Sequence, residues 1–159
     1  METIRRARPA DLPLLHEIFY EQETAGRRDP PPRGPLPPLY RHELETGVVY
    51  VAEREGRVVG FAASISRGAV DFLTEFFVRL AFQADGIGRR LLRHVVPRNG
   101  RACFTSSSSD PRALALYIRA GLRPLFPCFY LRADGATGPL AAGGVEAVEA
   151  APDDAALVD

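Results

Sequence analysis

The sequence predicts an α/β fold, and two observations carry that expectation. Segments with strand-like alternation and segments with helical spacing of apolar residues follow one another in the order β-α-α-β-β-β-α-β-α-β, which implies a mixed sheet with helices on both faces. The 159 residues are 46% hydrophobic and 25% charged, a balance that suits one soluble domain whose core stands without staples.

Taken in order, residues 3–8 read as a strand, and Pro9-Ala10-Asp11 opens a helix with Leu12, Leu15, Ile18 and Phe19 on one face. Residues 27–38 are rich in proline, which removes donors and fixes φ, so this stretch is a stiff loop inside the domain. Residues 39–45 give a short second helix. Residues 48–53 and 57–66 are strands joined by the hairpin signal Arg54-Glu55-Gly56, and the Phe- and Val-rich run 70–80 is a further strand. Residues 86–96 form a helix with Ile87, Leu91, Leu92 and Val95 apolar, ended by Pro97-Arg98-Asn99-Gly100. A strand over 101–106 follows, then a helix over 111–120 that Asp110 N-caps and Gly121 stops. Residues 126–132 are the last strand. Residues 134–159 are Ala/Gly-rich and hold six acids and no base, which reads as a mostly disordered acidic tail beyond a domain of residues 1–133.

Composition narrows the chemistry. All 20 basic residues are arginine, so the P-loop, the Schiff base and pyridoxal phosphate are excluded for want of a lysine. Cys103 and Cys128 build neither a disulfide framework nor a C-x-x-C zinc pair, and His42 lacks the second histidine of a His-Glu-x-x-His site, so no metal is expected. No apolar run reaches the ~18–20 residues that span a bilayer, and the N-terminus enters a strand pattern with no leader; a cytoplasmic protein without a membrane partner is expected. Residues 1–133 carry 20 arginines against 14 acids, a net of +6 that suits an anionic ligand. The arginines are scattered with no aromatic interleaving, so no nucleic-acid partner is expected.

The informative stretch runs from Val78 to Leu92: a strand, a turn, then a helix whose first turn holds Gly86 and Gly88. The first N–H groups of a helix lack internal partners and sit at the positive end of its dipole, and glycine lets an anion approach them. A tight turn with no ligand has the same appearance. A dinucleotide fold is excluded, because Leu91 stands where a third glycine is needed and the motif follows several strands rather than the first.

The spacing of Val78, Gln83, Gly86 and Gly88 resembles motif A of the GNAT superfamily, the acetyl-CoA-dependent N-acetyltransferases, with Leu80 where the family often has proline. Downstream, Asp110, Ala113, Leu116, Tyr117, Gly121 and Leu122 resemble its motif B, with Asp for Asn and Leu for Phe. The resemblance covers about 130 residues and leaves out the tail. It implies a mostly antiparallel sheet of six to seven strands flanked by about four helices, with the fourth and fifth strands splayed. It also implies that acetyl-CoA places its diphosphate on the turn formed by Gln83, Ala84, Asp85, Gly86, Ile87, Gly88 and Arg89. The pantetheine arm would run along Phe77, Val78 and Arg79, with Asp110 and Tyr117 beside it. The acceptor amine would then attack directly, in a ternary complex.

Direct attack needs a group to take the amine's proton and one to protonate the departing thiolate. Tyr117 matches the family's general acid; the other reading is a core tyrosine. Glu75, in an aromatic strand, suits the base, since burial there would raise its pKa; the other reading is an ion pair with an arginine. Thr105 stands at another position used for the base and would need a water beside Ser106 or Ser107. Tyr20, Glu21, Tyr40 and Glu75 are the candidate acceptor contacts, because the loop 27–38 would cover that pocket. The acceptor is a small-molecule or protein amine, and a homodimer through the last strand is open. A non-catalytic acyl-CoA sensor or interaction domain is the alternative function.

Overall fold

The structure, a computed structural model, describes residues 2–96 and 100–128. The chain divides into two units, Met1–Phe126 and Pro127–Asp159; the description below concerns the first. The acidic stretch 134–159 lies outside the described residues.

Five strands form one sheet in the order β1 (Glu2–Arg6), β2 (Val48–Arg54), β3 (Arg57–Arg67), β4 (Val70–Val78) and β5 (Ala102–Thr105). The first four run antiparallel to their neighbours, and β5 runs parallel to β4. The helices are α1 (Leu12–Thr24), α2 (Pro38–Thr46), α3 (Ile87–Val95) and α4 (Pro111–Arg119). The four helices and the mostly antiparallel sheet match the expected architecture. The strand count is smaller than the six to seven expected: there are five among the described residues. Residues 126–128 of the expected last strand have no regular secondary structure, and 129–132 lie outside the described residues.

Two differences have simple causes. Pro9–Asp11 forms a 3-10 turn, and the α-helix begins only at Leu12. The Asp11 carboxylate fixes that corner by accepting the Arg8 amide at 2.7 Å and two Arg5 guanidinium N–H groups at 2.8 and 3.0 Å. Its pKa is held down chiefly by Arg5. The strand expected to reach Leu80 stops at Val78, because Leu80–Phe82 turn into a second 3-10 segment that leads to α3.

Alternation along the strands divides the core into two layers. Val49, Val51, Phe61 and Ala63 point to the face covered by α1 and α2, where they meet Leu15, Ile18 and Tyr40. Ala52, Ala62 and Leu73 point to the other face, where Ile87, Leu91 and Leu92 of α3 and Tyr117 of α4 cover them. Phe61, Leu15, Ile18, Leu73, Ile87 and Leu91 are the largest fully buried side chains, and each belongs to an apolar stripe read from the sequence or to a strand face. Among the described residues no helix is long and apolar enough to cross a membrane.

Candidate active site

The site is built around a change in the middle of β4. Its first half pairs on both edges: Val70, Asp71, Phe72 and Leu73 lie opposite Ala102, Cys103, Phe104 and Thr105 of β5. Beyond Leu73 that edge has no strand partner among the described residues, so the two parallel strands part as expected. On the other edge, Ala63 faces Glu75 while Ser64 faces Leu73, which leaves Thr74 as a bulged residue. A bulge kinks the strand and re-aims the side chains that follow it. Glu75 and Phe77 consequently share the face of Ala63 and Phe61, toward α1 and α2, and Phe76 and Val78 turn toward α3 and α4.

At the end of β4 the chain makes the turn that the glycines announce. Ala84 and Gly86 both adopt left-handed backbone, at φ 74° and 77°. For Ala84 this is uncommon and strained, a pattern that recurs at ligand sites. The α3 N-terminus carries no side-chain cap, and Arg90 is its first residue whose amide bonds back, to the Gly86 carbonyl. Among the described residues no acceptor engages the amides of Ile87, Gly88 and Arg89, so three donors converge where the helix dipole is positive. Gly88 has a second role. A Cβ there would stand 2.9 Å from the Phe76 ring and 3.3 Å from Leu116, so its glycine permits α3 to lie close on β4 and α4.

The side chains around the turn are mostly engaged. Gln83 donates to the Val78 carbonyl at 3.1 Å and to Gln22 at 3.2 Å, and accepts from Arg112 at 2.8 Å, tying the end of β4 to α1 and α4. Arg79 pairs with Glu17 and Glu21 of α1 and donates to the Val58 carbonyl. Asp85 pairs with Arg54 at 2.5 Å. Asp110 caps α4 by accepting the Arg112 amide at 2.9 Å, and its carboxylate also holds the Arg112 guanidinium, which keeps its pKa low. Arg89 forms no ion pair among the described residues. It lines a groove of about 260 Å³ between α3 and α4 together with Arg93 and Arg119, over a floor of Leu92, Val96 and Leu116.

Tyr117 is buried at 9% exposure and lies against the Phe76 ring, with centroids 5.7 Å apart. Burial pushes its hydroxyl up to about 12, against the lowering effect of the neighbouring Thr105 hydroxyl; the Glu75 charge adds to the rise. Thr105 itself donates to the Leu73 carbonyl at 2.9 Å. Glu75 has no ion pair among the described residues, so the alternative of an arginine partner is not realised. Burial is the main cause that pushes its carboxyl up to about 8, and the charges of Glu43 and Glu23 add to it.

The acceptor candidates separate. Tyr40 is buried at 2% exposure against Phe61 and His16 and feels the Glu75 charge, so the structure brings these two together. Tyr20 donates to the Pro31 carbonyl at 2.6 Å, which ties the proline-rich loop to α1, and Glu21 is held by Arg79. Sequence reasoning missed Glu43, which is 1% exposed in α2. Its signal was available: Tyr40, Glu43 and Leu44 lie at i, i+3 and i+4, one face of a helix. It also missed Arg93 and Arg119, which only the packing of α3 on α4 brings beside Arg89. Among the described residues no group of three His, Cys, Asp or Glu side chains is placed to hold a metal ion.

Comparison with known proteins agrees with this geometry. The family model described as an acetyltransferase (GNAT) domain matches residues 45–123, a span that includes Glu75, the Gln83–Arg89 turn, Asp110 and Tyr117. No curated protein matches the chain. Solved structures share the fold. A transcriptional regulator from Bacillus halodurans C-125 superposes with a TM-score of 0.63 at 19% identity, over 83% of this chain and 99% of its own. The aminoglycoside N-acetyltransferase AAC(6')-Iy, bound to a CoA bisubstrate analogue, gives 0.60 at 16% identity, over 85% and 99%. A ribosomal-protein-alanine N-acetyltransferase from Brucella melitensis gives 0.60 at 25% identity, over 75% and 83%. Residues 45–123 thus match a GNAT acetyltransferase domain, and the fold of the chain is similar to that of solved acetyltransferases.

Proposed function

We propose that the chain is an N-acetyltransferase that moves an acetyl group from acetyl-CoA directly to a primary amine of a small molecule or protein, within a ternary complex. The observation that carries this reading is the set of amides at Ile87, Gly88 and Arg89 that no acceptor engages among the described residues, next to the half of β4 that has no β5 partner there. Those amides, with the left-handed Ala84 and Gly86, would hold the diphosphate, and Arg89, Arg93 and Arg119 would neutralise nucleotide phosphate in the groove beside them. The structure of AAC(6')-Iy with CoA supports the choice of donor. The thioester supplies the activated acetyl group.

The chain's own residues then do three things. The backbone of Phe77, Val78 and Arg79 aligns the extended arm of the donor along β4, as an added strand would lie. Glu75 takes a proton from the acceptor ammonium, and Tyr117 gives one to the departing sulfur. Tyr40 forms the wall behind Glu75. Tyr20 and Glu21 shape the acceptor side by holding the loop 27–38 and Arg79. In this reading residues 1–133 form the acetyltransferase domain of a cytoplasmic protein and 134–159 lie outside it.

The test is turnover of acetyl-CoA against a panel of small amines and amine-terminated peptides. Transfer to at least one of them is expected; tight acetyl-CoA binding with transfer to none would overturn the reading. One observation favours a second function, a non-catalytic acyl-CoA sensor: with its carboxyl raised to about 8, Glu75 is mostly protonated at neutral pH. Calorimetry separates the two, since a sensor holds acetyl-CoA and CoA with different affinities and releases the thioester intact.

A further inference from the structure

Glu43 is among the largest fully buried side chains of the molecule and carries a carboxyl group. Among the described residues neither its Oε1 nor the buried Thr74 hydroxyl completes a hydrogen bond of ordinary geometry, and the Thr74 hydroxyl partly offsets the rise of the Glu43 pKa that burial causes. An ionised carboxylate in that state would be strongly destabilising. Its placement explains what it does there. Helix α2 lies on β2 and β3, over the layer that contains Tyr40 and Ala63. Glu75 is the register partner of Ala63, so its side chain enters the same layer, and the bulge at Thr74 is what turns it there.

We infer that Glu43 is a positioning residue that acts through Glu75: the two carboxyls hold one proton between them, and Glu43 sets the pH at which Glu75 is free to accept the acceptor's proton. Two carboxyls in one low-dielectric layer do not both ionise near neutrality, so they titrate as a coupled pair. Of the titratable groups around the pair, the Glu23 charge of α1 acts on Glu75, both carboxyls act on Tyr40 of α2, the Glu75 charge reaches Tyr117 of α4, and His16 of α1 packs on Tyr40; the β3 residues opposite, Ala63 and Ser64, carry no charge. No arginine pairs with either carboxyl among the described residues. Burial pushes the Glu43 carboxyl up, as it does that of Glu75.

The inference rests on the reading of Glu75 as the base, and its test does not require an acceptor. Carboxyl carbon NMR follows each glutamate in the full chain as pH is raised. In Glu43→Gln, the Glu75 midpoint is expected to fall by about one pH unit or more, because the neighbouring charge is gone. In Glu75→Gln the Glu43 midpoint falls likewise, and this arm decides the matter if Glu43→Gln does not fold. Unchanged midpoints would assign Glu43 a purely structural role and overturn the inference. On an amine the wild type acetylates, the acidic limb of kcat/KM in Glu43→Gln should move to lower pH; a superimposed profile counts equally against it. A wild type that acetylates nothing would fell the acetyltransferase reading, and the titration would still decide the coupling.

Discussion

The two halves of β4 treat their carboxylates in opposite ways. In the first half, where both edges of the strand are paired, Asp71 is buried yet accepts from Ser66 at 2.6 Å and from Arg101 at 2.9 Å, and its pKa is held below the usual range chiefly by Arg101. In the second half, beyond the Thr74 bulge, one edge is open among the described residues, which also place no cation beside Glu75, while the Glu43 charge acts on it. A buried charge that is fully hydrogen-bonded serves the fold, whereas one left without partners costs stability and persists only where the group has other work. The sealed half holds the strand in the sheet; in the proposed reading the open half is where proton transfer and ligand binding take place.

The largest expected effect separates these roles. Glu75→Gln should lower kcat/KM by roughly a hundred- to ten-thousandfold while leaving the fold intact. Asp71→Asn should do the reverse. It should cost about 1–3 kcal/mol of stability through weakened bonds to Arg101 and Ser66, with turnover nearly unchanged once the protein is folded. Steady-state kinetics and denaturant unfolding on both variants check the pair; equal losses of rate would erase the distinction. Next in size is Tyr117→Phe, which should lower turnover by about ten- to a thousandfold with acetyl-CoA affinity retained. A variant at the wild-type rate would make Tyr117 a packing residue against Phe76.

The pH dependence of stability sharpens the comparison, because the two signs differ. The folded-state pKa of Glu75 is raised to about 8, above its ordinary 4.5. Its contribution is therefore complete below that ordinary value and is lost as pH rises through about 8. Asp71 is lowered, so its contribution is present above its ordinary value and is lost as pH falls through the depressed one. Thermal unfolding across pH should show Glu75→Gln flattening the alkaline decline, with a gain of several degrees near pH 9, and Asp71→Asn flattening the acid decline. An alkaline decline that persists unchanged in Glu75→Gln would assign it to other groups.

Much of this was legible in the sequence, for reasons that the same comparison brings out. The helices and strands came from local periodicity, and the Gly86 turn from a backbone need that only a few residues meet. Gln83, Gly86, Gly88, Asp110 and Tyr117 stood out because their spacing is fixed by a turn or a helix. The rest depends on partners far along the chain. The Thr74 bulge exists only in the register against β3, so alternation alone did not say which layer Glu75 enters. Arg79 lies at the expected place, but its guanidinium goes to Glu17 and Glu21, 62 and 58 residues away. Glu43 shares a helix face with Tyr40 and Leu44, a signal the sequence does carry, but that this face of α2 lies over the layer Glu75 enters becomes visible only once the sheet is assembled.

The smallest effect concerns the helix ends on either side of the open half. The α3 terminus is uncapped, while the α4 terminus is closed by Asp110, whose carboxylate accepts the Arg112 amide and holds the guanidinium that reaches Gln83. Removing the cap in Asp110→Ala should cost about 0.5–2 kcal/mol of stability. On the proposed reading acetyl-CoA affinity is expected to fall by less than about threefold, because the carboxylate works on its own helix while the donor's diphosphate would sit at α3. A fall of tenfold or more, at unchanged folded fraction, would give Asp110 a direct part in holding the donor and would make the two termini a single site.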